Sequence, residues 1–145
     1  MSTYRILLVD DSPFMRKVYG DLIVASGRFE IAGFAGDGEE AVRLTRELAP
    51  DVVVMDLEMP KMNGIEALRE IMAARPTPVI LMSAVSEDGM RETILALQAG
   101  AFDFVRKPDA AAGLGLEKVS KILLERLLIA AETGREGRLR LLAQT

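Results

Sequence analysis

Asp51-Val-Val-Val-Met-Asp56-Leu-Glu-Met-Pro60-Lys-Met-Asn-Gly64 is the stretch around which the chain is organised. Val52 to Met55 is a short apolar run, too short for a helix and rich in β-branched residues, so it reads as a strand buried on both faces. The run stops at Asp56, where the strand leaves the core, and Pro60 and Gly64 force a loop before the next helical pattern. A carboxylate at the carboxyl end of a central parallel strand sits in the ligand crevice of an open α/β sheet. On this stretch alone Asp56 suits a structural cap as well as it suits chemistry. The other strand ends decide between the two.

Outward from it, strand-like runs alternate with helical patterns. Arg5–Val9 is the first strand and ends on Asp10-Asp11. Ser12-Pro13 then supplies a cap residue and a proline at the first helical position. The predicted helix runs to about Ser26, with Gly27 as its terminator. Phe29–Ala35 alternates and contains Gly33, which suits an edge strand. A helix from about Glu39 to Glu47 places Ala41, Leu44 and Leu48 on one side, with Pro50 just past its end. After the Asp56 strand comes a helix from Ile65 to about Ala74, with Ile65, Leu68, Ile71 and Met72 at helical spacing. Val79–Met82 is the fourth strand and ends on Ser83. Residues 84–89 read as a polar loop, followed by a helix to Ala99 with Gly100 as its cap. Phe102–Arg106 is the fifth strand and runs into Lys107-Pro108. Ala110 to Gly115 is a small, flexible connector. Leu116 to about Glu132 is an apolar helix with Leu116, Val119, Leu123, Leu127 and Ala130 in one stripe, widened by Ile122 and Ile129. Residues 133–145, with Arg135, Arg138 and Arg140, read equally as a frayed end and as the start of a linker to an absent output domain.

Strict β/α alternation implies an α/β fold, a doubly wound five-stranded parallel sheet with helices on both faces and right-handed crossovers. Five strands suit the flavodoxin-like order 2-1-3-4-5, whose switch point lies between strands one and three. Those two strands end on Asp10-Asp11 and on Asp56.

Composition narrows the chemistry. The chain has 145 residues, 50% hydrophobic and 28% charged, which suits a single globular domain. No apolar run approaches the roughly 20 residues of a membrane span. The first residues lack the basic segment and apolar core of a signal peptide, so a cytoplasmic location without membrane insertion is expected. With no cysteine and no histidine, thiolate catalysis, zinc–sulfur sites and histidine acid–base chemistry are excluded for these residues. A net charge of −4 argues against nucleic acid as a direct partner. Any metal must be hard and oxygen-ligated, which points to Mg²⁺ or Mn²⁺.

Four elements converge on the carboxyl edge: Asp10-Asp11, Asp56, Ser83 and Lys107. Singly each has a plain explanation. The acidic pair suits the positive end of the first helix, Ser83 suits a backbone partner at a strand end, and Lys107 suits a surface turn. Together they supply the parts for one reaction. Three neighbouring carboxylates repel unless a divalent cation neutralises them. With the cation bound, one carboxylate can attack a phosphoryl group, and the transferred group then needs a cation and a hydroxyl for its oxygens.

On these residues the chain resembles the receiver domain of two-component response regulators, over about residues 4–130. The resemblance implies that Asp56 is the phosphoacceptor and that Asp10 and Asp11 bind Mg²⁺ together with Asp56 and the backbone carbonyl of Glu58. It implies that Ser83 and Lys107 bind the phosphoryl group, that Phe104 occupies the switch-aromatic position, and that the Lys107–Pro108 bond is cis. A plain core phenylalanine remains the other account of Phe104. The implied partners are a histidine-kinase phosphodonor and an output domain or effector on the face formed by helix four, strand five and helix five. Residues 1–132 would be the receiver, and 133–145 a tail or linker.

Ser12-Pro-Phe-Met-Arg-Lys17, residues 73–79 and residues 99–108 are more specifically similar to the receiver half of chemotaxis protein-glutamate methylesterases. A Ser-His-Asp esterase cannot lie in a chain without histidine. What remains is phosphorylation from a donor and self-dephosphorylation, either as part of such an enzyme or as a stand-alone receiver acting by protein–protein interaction. The rival from another class is a phosphatase of the haloacid-dehalogenase type. It needs an Asp-x-Asp pair on the first strand, whereas Asp56-Leu57-Glu58 lies on the third.

Overall fold

Val52, Val53, Val54 and Met55 are each fully buried, as a strand covered on both faces requires. The computed structural model describes residues 3–59 and 62–144, with side chains up to residue 137. Its elements are β1 (Tyr4–Val9), α1 (Pro13–Ala25), β2 (Phe29–Ala35), α2 (Gly38–Leu48), β3 (Val52–Asp56), α3 (Gly64–Ala74), β4 (Val79–Ser83), α4 (Glu87–Gln98), β5 (Asp103–Arg106) and α5 (Leu116–Gln144). A 3₁₀ turn, Ala110–Ala112, precedes α5. The loop role expected of Pro60 and the side chains of Arg138 and Arg140 lie outside the described residues.

All strand pairs are parallel and the order is β2-β1-β3-β4-β5, as the β/α alternation predicts. Because strand side chains alternate, β1, β3 and β4 feed two separate cores. Ile6, Leu8, Val52, Val54, Ile80 and Met82 pack with Tyr19 and Ile23 of α1 and with Val119, Leu123 and Leu127 of α5. Leu7, Val9, Val53, Met55, Val79 and Leu81 pack with Ala41 of α2, Leu68 and Ile71 of α3 and Ala96 of α4. The central strands are therefore held from both sides, and their carboxyl ends are fixed in space. The edge strand β2 carries a bulge where pairing with β1 steps from Ile31 to Gly33. A Cβ at Gly33 would lie 2.7 Å from Leu48 Cδ1, so glycine lets α2 close on this edge.

Helix starts follow the capping residues. The hydroxyl of Ser12 accepts from Met15 N–H at 3.2 Å, with Pro13 in the first turn. Asp37 and Asn63 cap α2 and α3 in the same way. Gly27, at φ +80°, follows α1 as its expected terminator.

Two boundaries differ from the sequence expectation. Residues 84–89 do not all form a loop, because α4 begins at Glu87. Ser86 caps it by accepting from Gly89 N–H at 2.9 Å. Gly89 is in the first turn because a Cβ there would collide with the Ala84 carbonyl. The second difference is α5, expected to stop near Glu132 but continuous to Gln144 through Gly134 and Gly137. A helical glycine costs about 1 kcal/mol relative to alanine, and tertiary contacts offset that cost. Gly134 packs over Pro78, where a Cβ would sit 3.0 Å from Pro78 Cγ. The Arg135 guanidinium lies 4.3 Å from the centre of the Tyr4 ring and 3.7 Å from Asp51 Oδ1. The helix thus crosses from the sheet face onto the amino ends of β1, β3 and β4.

The predicted stripe on α5 is also narrower than the pattern suggests. Leu116 and Ile129 are 40% and 49% exposed, whereas Leu123 and Leu127 are fully buried. Leu127→Ala should therefore cost about 2–5 kcal/mol, and Ile129→Ala should stay within about 0.5 kcal/mol. Urea unfolding followed by circular dichroism will measure both. Equal losses would mean that α5 presents a different face to the sheet.

Candidate functional site

The site is assembled where three parallel strands run out. Asp10 N–H still pairs with Ala35 O at 3.0 Å, after which the chain turns toward α1. Its carboxylate Oδ1 accepts from Ser12 N–H at 2.9 Å, which ties the acid to the helix cap. At the end of β3, Leu57 N–H continues the ladder to Met82 O. Asp56 Oδ1 accepts from Glu58 N–H at 2.9 Å and from Lys107 Nζ at 2.8 Å. Beyond β5, Lys107 N–H donates to Ser83 O at 2.8 Å, which sets the height of the lysine against β4.

Asp10, Asp11 and Asp56 each offer an oxygen within 4.8 Å of the others. Asp10 and Asp56 are 4% and 5% exposed, while Asp11 faces solvent. They line a cleft of about 390 Å³ with Ser12, Met15, Tyr19, Lys107 and Pro108. Four of the residues expected at the site are therefore brought together: Asp10, Asp11, Asp56 and Lys107. Ser83 is buried next to them and joined to Lys107 through its backbone, but its side chain does not line this cleft. The Glu58 carboxylate reaches Lys107 Nζ at 3.7 Å and borders a neighbouring cleft with Asn63 and Glu92. Phe104 is half-buried against the α2–α4 core, and its carbonyl accepts from Arg126 Nη1 at 2.6 Å. The expected cis bond is not found. Among the described residues no peptide bond is cis, so Lys107–Pro108 is trans, the isomer a proline peptide favours by about 0.5–1 kcal/mol.

Burial and charge act together on the acids of the cluster. Burial pushes the Asp56 carboxyl above its ordinary value, against the Lys107 and Glu58 N–H hydrogen bonds, and Asp11 adds to the rise. Asp10 is also raised, first by burial, against the Ser12 N–H bond, and then by the charges of Asp56 and Asp11. Burial opposes the Lys107 ammonium, yet the hydrogen bond to Asp56 and the charges of Asp56, Glu58 and Asp10 raise it. In a balanced ion pair the carboxylate would fall. Here it rises because burial outweighs the hydrogen bonds and the lysine charge, and the neighbouring carboxylates add to the rise. An all-oxygen, anionic donor set of this kind fits a hard divalent cation.

Two further residues belong to the site and escape a reading of motifs. Tyr19 is buried in the cleft wall. Burial, then the Asp10 and Asp56 charges, push its phenol up to about 12. Its spacing from Met15 and Ile23 marks an inward helix face, but not the acids beside it. Arg16 Nη1 donates to the Asp10 main-chain carbonyl at 2.7 Å, a contact with no motif to announce it.

Residues 6–115 match the family described as response regulator receiver domain. The chain is 46% identical over 136 residues to the protein-glutamate methylesterase/protein-glutamine glutaminase 1 of Syntrophomonas wolfei, covering 94% of this chain and 39% of that protein. It is 49% identical over 123 residues to the corresponding protein of Thermotoga maritima, covering 85% of this chain and 36% of that one. The chain thus spans less than two-fifths of the length of these relatives. The crystal structure of the response regulator domain of Thermotoga maritima CheB superposes with a TM-score of 0.82 at 46% identity, covering 90% of this chain and 98% of that one.

A carboxylate whose folded pKa lies above its ordinary value of 3.8 destabilises the fold wherever it is ionised. Its cost is fully present above the raised value and disappears as pH falls through that value toward 3.8. In a chelator, Asp56→Asn should therefore be more stable than the parent at neutral pH. The advantage should shrink on acidification into the carboxylate range. Urea melts across pH test this, and a difference independent of pH would contradict it.

Proposed function

Because the chain belongs to the response regulator receiver family, we propose that Asp56 accepts a phosphoryl group from a histidine kinase and that Asp10, Asp11 and Asp56 hold Mg²⁺ or Mn²⁺ for the transfer. The observation that carries this assignment is the cluster itself: three carboxylate oxygens within 4.8 Å, with Lys107 Nζ 2.8 Å from Asp56. A carboxylate oxygen of Asp56 forms the new P–O bond as the P–N bond of a phosphohistidine breaks, and the electron pair leaves with the imidazole. The cation, when bound, offsets charge on the carboxylates and on the transferring oxygens. Lys107 moves its ammonium from Asp56 to a phosphoryl oxygen, and the Ser83 hydroxyl binds another. The Glu58 main-chain carbonyl would join Asp10, Asp11 and Asp56 in holding the cation.

The finer identity we propose is a chemotaxis receiver of the protein-glutamate methylesterase kind, located in the cytoplasm, with residues 1–132 as the receiver and 133–145 as the start of a linker. In this assignment the esterase chemistry belongs to an output domain outside the 145 residues. The partner surface is α4, β5 and α5. It is supported by exposed apolar residues on those elements: Ile94 and Leu95 of α4 are 49% and 52% exposed, and Leu116 of α5 is 40% exposed. Phosphorylation reaches that surface through Ser83 and Phe104. A hydroxyl drawn toward the phosphoryl group frees space for the ring to turn inward, a two-state element biased by the ligand.

Incubation with a small acyl phosphate and Mg²⁺ should add one phosphoryl group by intact mass. Asp56→Asn should abolish it, and labelling that survives unchanged would sink the assignment. Ser83→Ala should still accept phosphate but show smaller NMR shift changes around Phe104. Equal changes in both proteins would uncouple Ser83 from the ring.

A further inference from the structure

Asp10 and Asp11 are consecutive, and consecutive side chains of a strand point to opposite faces. Yet both offer a carboxylate oxygen to the same cluster with Asp56. The chain must therefore abandon strand geometry at the peptide joining them. The hydrogen bonds show where it does so. Asp10 N–H is still in the ladder, bonded to Ala35 O at 3.0 Å. Its carbonyl instead accepts from Arg16 Nη1 at 2.7 Å, one turn into α1. That carbonyl belongs to the Asp10–Asp11 peptide itself, so the guanidinium sets the plane from which Asp11 departs.

Space has been kept for this contact. A Cβ on Gly36, just beyond β2, would lie 3.3 Å from Arg16 Nη1, so the guanidinium would have to give by a few tenths of an ångström. Gly36 is not at positive φ, so its lack of a side chain serves close approach rather than backbone strain.

We infer that Arg16 is a positioning residue for the acidic cation site, holding the Asp10–Asp11 peptide so that both carboxylates face Asp56. This rests on the assignment of Asp10, Asp11 and Asp56 as the Mg²⁺ site. The direction of the effect on Mg²⁺ affinity separates positioning from simple electrostatics. A guanidinium acting only as a nearby cation would repel Mg²⁺, so its loss would tighten binding. A guanidinium that positions the ligands favours Mg²⁺, so its loss weakens binding.

Calorimetric titration of the full chain with Mg²⁺ provides the test. Arg16→Met, which keeps the length of the side chain and loses the fork, should weaken Mg²⁺ binding about tenfold, the usual scale for loss of a group that orients metal ligands. Removing a remote exposed charge with Arg43→Met should leave affinity unchanged. In acyl-phosphate labelling, Arg16→Met should raise the Mg²⁺ concentration for half-maximal rate by a similar factor, while the rate at saturating Mg²⁺ changes much less. Affinity equal to or tighter than that of the parent overturns the inference. If Arg16→Met does not fold, Gly36→Ala displaces the guanidinium without removing it and should give a smaller loss in the same direction. Unchanged affinity in that variant equally overturns the inference. A parent chain that binds no Mg²⁺ removes the acidic-site assignment first and the role of Arg16 with it, an outcome distinct from binding that ignores Arg16.

Discussion

Like charges held in a low-dielectric surrounding repel, and this domain places three carboxylates within 4.8 Å at one edge of its sheet. Two of them, Asp10 and Asp56, are almost completely buried, and Lys107 is the ammonium bonded to Asp56. Burial and mutual repulsion raise the carboxyls, although hydrogen bonds from Ser12, Glu58 and Lys107 act against the rise. Such an arrangement violates the usual rule that buried charges are balanced, and violations of that kind concentrate where a protein functions. The cost must be carried by the rest of the fold.

It is carried by a sheet packed on both faces. Fully buried aliphatic residues on β1, β3 and β4 interlock with α1 and α5 on one side and with α2, α3 and α4 on the other. The strand ends cannot drift apart to relieve the repulsion, so the acids stay convergent. Rigid strands supply the position, and the turns just past them supply the chemistry. The same division explains why Arg16, Ser12 and the Glu58 N–H matter at the site. Arg16 holds the Asp10 carbonyl just past the ladder, and the Ser12 and Glu58 N–H groups hold the carboxylates of Asp10 and Asp56.

Much of this was legible from residue order. The five strand ends, the Ser12-Pro13 start of α1, the edge character of Phe29–Ala35 and the acidic convergence all follow from period, turn residues and topology rules. The misses have identifiable causes. Gly89 looked like loop because glycine is a poor helix former, whereas Ser86 capping and the nearby Ala84 carbonyl place it inside α4. The last helix is expected to stop near Glu132, but Pro78 and the Arg135 contacts with Tyr4 and Asp51 carry α5 onward through Gly134. Tyr19 and Arg16 were invisible as site residues because neither belongs to a strand end.

The sequence by itself determined the layered fold, the strand order and the identity of the acids and the lysine, because periodicity, caps and strand-end residues act between near neighbours in the chain. Only the tertiary structure decided how those groups meet. It set which carboxylate Lys107 pairs with, how far burial raises Asp10 and Asp56, that Tyr19 lines the cleft, and that Arg16 grips the Asp10 carbonyl. Charge interactions and close approach depend on distance in space, and residues remote in sequence acquire that distance only when the sheet has closed.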